Sequence, residues 1–219
     1  MNLVSVIIPT YNRPDLLYRT LTSIEGQTYP RIEAIIVNDA GQDAREVVAQ
    51  FPGARYHSHP ENRGLAATRN SGIKLASGKY LCYLDDDDFF YPDHVDTLVN
   101  ELENSDYSVA YTDAHRMSSD GKKEIRYSID YDYETLRHRN ITPVLCVMHE
   151  RSILDEVGLF DESLDSHEDW DLWLRIGKLY PMKHIAKVTC CYTVGHGDEM
   201  SNNYTRMMQT YHAVMGRYR

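Results

Sequence analysis

The sequence predicts an α/β fold with a mostly parallel sheet flanked by helices, and two patterns in its first half carry that prediction. Short apolar runs rich in β-branched residues, at 3–8 and 32–37, are typical of strands buried on both faces. Segments with helical spacing of apolar residues lie between such runs, so strands and helices alternate. Every strand is followed by a polar loop. Because ligands of open α/β sheets bind beyond the carboxyl ends of the strands, we expect the functional site along that edge.

Length and composition restrict the function classes. A chain of 219 residues with 42% hydrophobic content suits one sizeable domain, or one domain with an appendage. The net charge of -10 argues against a general nucleic-acid surface, because neutralising phosphates requires a basic face. No apolar run reaches the length of a membrane span, and the N-terminus has no signal-peptide pattern. We therefore expect a cytoplasmic protein, with the inner face of the membrane as one place where it could act.

The four cysteines show no metal-ligand spacing, and they predict reduced thiols in the core. They are Cys82, Cys146, Cys190 and Cys191. Since Cys190 and Cys191 are adjacent in a predicted strand, their side chains should point to opposite faces of the sheet.

The elements of the first half follow in order. Pro9 is expected to stop the first strand, and Pro14 suits the first turn of the helix that follows a polar loop. A strand at 32–37, a helix at about 43–50, a short strand near 54–57 and a helix at 62–77 come next. This β-α-β-α-β order indicates a parallel sheet.

Arg69 lies in the middle of the inward stripe of the 62–77 helix, which Leu65, Gly72, Ile73 and Ala76 share. A buried guanidinium needs an anion, because a buried unpaired charge costs several kcal/mol or more. The acid cluster described next and a ligand phosphate are its two obvious partners. A purely structural ion pair, or a side chain whose stem is buried while its charged end reaches water, is an equally good explanation.

Four aspartates, Asp85–Asp88, directly follow the apolar run at 79–84, which reads as a buried strand. Adjacent carboxylates repel one another, so the cluster needs a cation, a basic partner or full solvation. Oxygen ligands at a strand tip favour Mg²⁺ or Mn²⁺. A solvated acidic turn is the alternative.

After a helix at 92–104 and a strand at 107–112, the regular alternation ends. Residues 116–127 contain a hairpin signal, residues 143–148 predict a strand, and residues 150–157 predict a short helix. We expect residues 1–112 and residues 113–203 to form two halves of one domain, and residues 204–219 to form a C-terminal helix.

Two further segments allow more than one structural interpretation. Ser166 can cap a helix that contains Asp169 three residues later, and a capping box alone would explain both residues. The C-terminal helix has one apolar stripe, which suits either core packing or contact with a partner. A membrane surface and a further domain are the candidate partners.

Five segments, taken in order, resemble the family 2 glycosyltransferases. They are residues 4–13 (VSVIIPTYNR), 37–39 (VND), 62–70 (NRGLAATRN), 83–88 (YLDDDD) and 168–173 (EDWDLW). The resemblance covers roughly residues 3 to 205. It implies a GT-A, Rossmann-like fold with a smaller acceptor-side region, a nucleotide-sugar donor, and inversion at the anomeric carbon. On this resemblance, residues 1–112 would form the nucleotide-sugar-binding half, and residues 113–203 would form the acceptor-binding and catalytic half of the same domain.

The resemblance also implies roles for single residues. Asp39 would bind the nucleotide base, usually uracil, and Asp169 would be the general base. Asp87 would be the direct metal ligand, which His196 joins in some members, whereas Asp88 lies outside the matched motif. The remaining donor-site residues would be Pro9, Tyr11, Arg13, Arg69, Asp85 and Asp86.

The expected reaction is sugar transfer from a UDP- or dTDP-linked donor to a glycan or lipid-linked acceptor, assisted by Mn²⁺ or Mg²⁺. A sugar-1-phosphate nucleotidyltransferase would need a Gly-rich basic loop where this chain has PTYNR after the first strand. A dinucleotide oxidoreductase would need Gly-x-Gly-x-x-Gly. The alternative from another class is a non-catalytic nucleotide- or glycan-binding module of a larger assembly.

Overall fold

A computed structural model describes residues 1–194 and 204–218. Within these residues one nine-stranded sheet runs in the order β3-β2-β1-β4-β8-β6-β9-β5, and β7 pairs with β6. The strands are β1 Val4–Thr10, β2 Ile32–Asn38, β3 Ala54–Ser58, β4 Tyr80–Tyr83, β5 Phe89–Phe90, β6 Val109–Met117, β7 Lys123–Arg126, β8 Val147–Glu150 and β9 Lys183–Thr193. The α-helices are α1 Pro14–Glu25, α2 Arg45–Val48, α3 Leu65–Leu75, α4 His94–Glu103, α5 Tyr133–His138, α6 Leu154–Val157, α7 Glu168–Leu179 and α8 Tyr204–Arg217.

The first four strands form the predicted parallel part of the sheet. β1 lies in the middle, and Val4 faces Ile32 of β2 on one side and Tyr80 of β4 on the other. All of β1 is buried, as its continuous β-branched run requires. Helix α3 packs closely on this part of the sheet, since a Cβ added at Gly72 would overlap the side chain of Ile7.

Pro9 does not end the first strand, so that prediction is wrong. β1 continues to Thr10, and Pro9 faces Val37 of β2. The pairing with β4 has already ended at Ile7 and Tyr83, so beyond that point β1 has a strand on one side only. A proline is tolerated there, because no neighbour on the open side needs its missing N–H.

The second half of the sheet is mixed. β8 is antiparallel to β4 and β6, β9 is parallel to β6, and β5 is antiparallel to β9. The predicted hairpin is confirmed, because Met117 of β6 pairs with Lys123 of β7. The strand predicted at 143–148 is wrong over most of its length. Residues Val144–Cys146 form a 3₁₀ turn, closed by the Cys146 N–H on the Pro143 carbonyl, and the strand begins at Val147.

The apolar stripe of α8 packs against the chain itself. Val214 is fully buried, and the Tyr211 ring stacks on Trp170 at 5.4 Å. The guanidinium of Arg217 lies 3.1 Å from the carboxylate of Asp171 in α7. Core packing therefore accounts for the stripe in the described residues, as one of the two alternatives held. None of the helices in 1–194 and 204–218 combines the length and apolarity that a bilayer span needs.

All four cysteines are free and buried, as predicted. The Cys190 sulfur lies 3.4 Å from the sulfur of Cys146, whereas the Cys191 thiol is under the electrostatic influence of Arg19 in α1 and of Asp88. Both observations agree with the alternation of side chains along β9.

Candidate active site

The four aspartates lie directly beyond the carboxyl end of β4, and their carboxylates turn to four different partners. Asp85 contacts Arg69 at 2.6 Å, Asp86 accepts from the Thr10 hydroxyl at 2.7 Å, Asp87 contacts Arg13 at 2.8 Å, and Asp88 accepts from the Thr193 N–H at 2.8 Å. Two arginines and two hydrogen-bond donors thus reduce the repulsion that the sequence implies. The solvated-turn alternative is wrong, because Asp86, Asp87 and Asp88 are each at most 9% exposed.

Side chains of α1 and β9 also form hydrogen bonds with the backbone carbonyls of this acidic segment. Thr20 of α1 places its hydroxyl 2.9 Å from the Asp86 carbonyl and 2.7 Å from the Asp88 carbonyl. The Asp87 carbonyl accepts from the Thr193 hydroxyl at 2.7 Å and from Arg19. Thr20 lies on the buried face of α1, and sequence reasoning assigned no role to it. A polar side chain on a buried stripe was the available signal.

Burial raises the pKa values of two of these carboxyl groups. The pKa of Asp86 rises to about 7, because burial and the neighbouring Asp87 outweigh the bonds from Thr10 and Arg13. Burial and the charge of Asp87 likewise raise the pKa of Asp88 well above its usual value. Asp85 and Asp87 have more exposed side chains, at 32% and 13%. These two are therefore the carboxylates that a ligand can reach.

Arg69 joins the acidic segment to the start of α7. Its guanidinium is 2% exposed and contacts both Asp85 and Glu168, which lies 99 residues away in the sequence. The inward placement predicted for Arg69 is confirmed, and the acid cluster is one of its partners. Glu168 was missed as a partner, because nothing local in the sequence indicates which charge it meets. The Arg69 Nε has no hydrogen-bond partner in the described part of the chain.

Asp169 is half-buried in the first turn of α7. Its Oδ1 accepts from the Trp170 N–H at 2.7 Å, and its Oδ2 accepts from the Asn140 side chain at 3.0 Å. Burial, helped by the adjacent Glu168 charge and opposed by Arg69, raises the pKa of Asp169 to about 7. A carboxyl group with this pKa exchanges a proton readily at neutral pH.

The predicted capping box at Ser166 is wrong. α7 begins at Glu168, and its N-cap is His167, whose φ of 58° lies in the left-handed region. The Ser166 hydroxyl contacts Thr210 of α8 and lies 3.1 Å from the His167 ring. Ser166 is not available as a cap because Thr210 of α8, 44 residues further along the chain, engages its hydroxyl. Asp169 therefore has no reciprocal capping role, although it binds one N–H of the first turn.

Asp39 follows β2 and is 5% exposed. It accepts from the backbone N–H groups of Arg63 at 2.9 Å and Gly64 at 2.8 Å. The His59 Nδ1 lies 2.7 Å from Asp39 Oδ1, and the opposite ring nitrogen lies 2.8 Å from the Ser71 hydroxyl. Sequence reasoning missed His59 and Ser71. These contacts hold the Asp39 carboxylate in one orientation, with acceptor capacity remaining on Oδ2.

The loop after β1 lies between Asp39 and the acidic segment. Tyr11 is 48% exposed, and its N–H points to Asp86 at 3.4 Å. The Asn12 side chain accepts from the Gln42 N–H at 2.7 Å, which ties this loop to the loop after β2. Arg13 turns towards Asp87, and Pro9 is buried inside β1. Six predicted donor-site residues therefore lie at the carboxyl edge of β1, β2 and β4, and Arg69 lies beneath them on α3.

The residues fit a metal ion that receives part of its coordination from a substrate. In the described ranges, no group of three His, Cys, Asp or Glu side chains converges as a complete ligand set. Asp87 and Asp85 nevertheless offer accessible carboxylate oxygens, the ligand type that Mg²⁺ and Mn²⁺ prefer. His196, the other predicted ligand, lies outside the described residues.

The sequence model described as Glycosyl transferase family 2 matches residues 5–157. The chain belongs to this family. An uncharacterized glycosyltransferase of Bacillus subtilis, YwdF, is 35% identical over 208 residues, which make up 90% of this chain and 77% of the relative. Chondroitin synthase of Escherichia coli is 30% identical over 91% of this chain and 30% of its own length. The chain spans 60% of an uncharacterized Rickettsia prowazekii glycosyltransferase that is 35% identical over 81% of this chain.

Solved structures agree with the family assignment at the level of the fold. The crystal structure of S. aureus TarS in complex with UDP-GlcNAc superposes with a TM-score of 0.81 at 18% identity, over 97% of this chain and 65% of that one. The mannosyltransferase PcManGT from Pyrobaculum calidifontis, in complex with GDP-Man and Mn²⁺, gives 0.75 at 20% identity, over 99% and 64%. The predicted GT-A fold of a family 2 glycosyltransferase is therefore confirmed.

Proposed function

We propose that this family 2 glycosyltransferase transfers a sugar from a UDP- or dTDP-linked donor to an acceptor hydroxyl with inversion. One observation carries the proposal. Arg69 joins Asp85, beside the candidate metal ligand Asp87, to Glu168, beside the candidate base Asp169. This link supports one site with a leaving-group side and a proton-accepting side, which come from distant parts of the chain.

The donor would lie along the carboxyl edge of the sheet. Asp39 would accept the N–H of a pyrimidine base, for which Oδ2 retains acceptor capacity. Tyr11, Arg13, Asp85 and Asp86 would line the remainder of the donor site. The UDP-GlcNAc complex of TarS supports a uracil nucleotide, and the GDP-Man complex of PcManGT makes a guanine nucleotide the alternative to test.

The chemical step would be a single displacement. The acceptor hydroxyl oxygen attacks the anomeric carbon while the bond from that carbon to the diphosphate oxygen breaks. The hydroxyl proton passes to the Asp169 carboxylate, and attack from the opposite face inverts the configuration. A positioned base of this kind contributes about 10²–10⁴-fold to the rate. No enzyme nucleophile is needed.

Asp87, with His196, would hold a Mn²⁺ or Mg²⁺ ion. When bound, such an ion stabilises the negative charge that develops on the departing diphosphate. Arg13, which lies 2.8 Å from Asp87, supplies a second positive charge on the same side of the site. The accessible Asp85 and Asp87 carboxylates support this assignment.

A donor screen tests the proposal. Purified protein with Mn²⁺ is given UDP-, dTDP-, CDP- and GDP-linked sugars with candidate glycan and lipid-linked acceptors, and NMR identifies the anomeric configuration of the product. We expect release of UDP or dTDP and a product of inverted configuration. Retention of configuration would refute the single displacement. Nucleotide binding without transfer or hydrolysis of any donor would instead favour the non-catalytic module.

A further inference from the structure

One face of the β6-β7-β9 region is polar, partly exposed and next to Asp169. In the sheet register, Arg116 of β6 lies beside Tyr192 of β9 and opposite Glu124 of β7. Arg126 lies opposite Ala114 on the same face. Because side chains alternate along a strand, these residues share one side of the sheet. We call Arg116, Glu124, Arg126, Tyr127 and Tyr192 the β6-β7-β9 shelf.

Two tyrosines form the aromatic part of the shelf. The rings of Tyr127 and Tyr192 lie 6.0 Å apart with an interplanar angle of 57°, and both side chains are only partly buried. Tyr127 has a φ of 59°, an unusual conformation for a bulky residue. Strained residues of this kind concentrate at functional sites.

The other strained positions support this interpretation. Within 1–194 and 204–218, the non-glycine residues with positive φ are Asn12, Ala40, Tyr127 and His167. Asn12 lies between two predicted donor-site residues, Ala40 follows Asp39, and His167 precedes the first turn that contains Asp169. Three of the four thus border the candidate active site, and Tyr127 is the fourth.

The shelf borders the site directly. Burial and the nearby Asp169 carboxylate raise the pKa of the Tyr127 phenol. On the opposite face of β9, Thr193 binds the acidic segment through its hydroxyl, 2.7 Å from the Asp87 carbonyl. Thr193 and Tyr192 are neighbours in β9, so the strand that binds the acidic segment also carries part of the shelf.

The shelf has an excess of positive charge. Arg116 and Arg126 share a single carboxylate oxygen of Glu124, at 3.2 and 2.9 Å, which leaves one unit of positive charge. The segment 116–126 contains four basic and two acidic residues, in a chain whose net charge is -10. All three charged side chains are at least 36% exposed, so an incoming anion can reach them.

We propose that Tyr127, Tyr192, Arg116 and Arg126 bind the acceptor, and that this acceptor is a saccharide carrying a single negative charge on or next to the bound sugar. The inference rests on the proposed transferase activity and identifies the substrate class of the acceptor side. Aromatic rings supply rigid apolar area for the faces of a sugar ring. A guanidinium forms paired hydrogen bonds with a carboxylate or phosphate group.

Acceptor specificity tests the proposal. Three acceptors of equal length are compared with the donor that the wild type uses: a uronate-containing oligosaccharide, a phosphodiester-linked glycan and a neutral oligosaccharide. We expect one of the two anionic acceptors to have the lowest KM, and the comparison identifies which anion is recognised. Preference for the neutral acceptor overturns the proposal, as does release of nucleotide from the donor with none of the three acceptors used.

Matched variants assign the effect to the shelf. Arg126→Gln should raise the KM for the anionic acceptor about tenfold or more, while the neutral acceptor is unaffected. Lys122→Gln removes the same charge from the exposed turn of the same hairpin and should have no such effect. Tyr192→Leu should raise KM for both kinds of acceptor, whereas Tyr192→Phe, which retains the ring, should restore most of the affinity.

Two controls separate the possible failures. The affinity for UDP, measured by calorimetry, should equal that of the wild type in each variant, and the Tm shows whether each variant is folded. Equal effects of Arg126→Gln and Lys122→Gln, or normal acceptor KM in Tyr192→Leu, overturn the proposal. A wild-type protein that neither transfers nor hydrolyses any donor refutes the proposed function instead.

Discussion

The substitution Asp169→Asn separates a general base from a residue that only stabilises the first turn of α7. The amide retains an oxygen that can accept from the Trp170 N–H, now bound at 2.7 Å. The hydrogen bond that the Asn140 amide donates to Asp169 Oδ2 at 3.0 Å is lost, because the new side-chain NH₂ group cannot accept it. This loss costs about 0.5–1.5 kcal/mol. The substitution also removes the repulsion between the carboxylates of Asp169 and Glu168, which partly offsets this loss of stability. We therefore expect the unfolding free energy near pH 6 to change by about 1 kcal/mol or less.

The effect on catalysis should be much larger. An amide cannot accept the acceptor's proton, so turnover should fall roughly 10²-fold or more while donor affinity remains near wild type. The pH profile adds a second readout. Because the pKa of Asp169 is raised to about 7, wild-type turnover should rise as the pH increases towards 7 and then level off. The residual activity of the variant should lack that rise.

The same raised pKa predicts how stability changes with pH. In the unfolded chain the carboxyl group has its ordinary pKa of 3.8, so the folded state binds the proton more tightly. The favourable contribution is complete below the unfolded pKa and is lost as the pH rises through about 7. From pH 5 to pH 8 the wild type should therefore lose on the order of 1 kcal/mol relative to the variant, after a reduction for the partial exposure of the group.

Urea unfolding at both pH values and steady-state kinetics across the pH range provide these measurements. Asp155→Asn is the matched control, because it makes the same change at an exposed position on α6. If the Asp169→Asn variant turns over within a few-fold of the control, Asp169 is not the base. Glu168 would then be the first candidate to examine.

Four further predictions concern the donor side and the ion pair beneath it. EDTA should abolish transfer and Mn²⁺ should restore it, and Asp87→Ala should remove Mn²⁺ binding measured in the presence of UDP; full activity in EDTA would contradict this assignment. His59→Asn should weaken UDP binding about tenfold, because Asp39 loses the partner at 2.7 Å that orients it, whereas the exposed His57→Asn should not. Calorimetry should show tighter binding of UDP or dTDP than of GDP, and the reverse order would overturn the role of Asp39. Arg69→Met should reduce the unfolding free energy by about 3–5 kcal/mol, because it leaves the buried Glu168 carboxylate and the partly exposed Asp85 carboxylate without their shared cation, and a loss below about 1 kcal/mol would show that the ion pair is not structural.

Local patterns in the sequence were sufficient for the fold class and for the position of the site. The β-branched runs and helical stripes of the first half predicted the parallel strands β1, β2, β3 and β4, because burial on both faces leaves a continuous apolar pattern. Polar segments after these strands indicated the edge where Asp39 and Asp85–Asp88 lie. The order of five short motifs indicated the family that the family model confirms.

The tertiary structure alone decided which side chains meet. The partner of Arg69 in α7 is 99 residues away, and Thr193 binds Asp88 from a distance of 105 residues. Neither contact leaves a local periodicity, because it depends on how the mixed half of the sheet pairs. That pairing includes the irregular register between β6 and β9 around Asp113, which brings Arg116 beside Tyr192.

Two of the wrong local predictions, those for Pro9 and Ser166, have the same origin. Pro9 remains within β1 because β4 has already stopped pairing there, and Ser166 does not cap α7 because Thr210 of α8 contacts its hydroxyl. In both cases a sequence signal gives the local preference correctly, whereas a neighbour distant in sequence determines whether the preference is used. The sequence by itself therefore determined the element types, the family and the edge of the sheet that carries the site. Only long-range packing decided the hydrogen-bond partners that orient each acidic side chain.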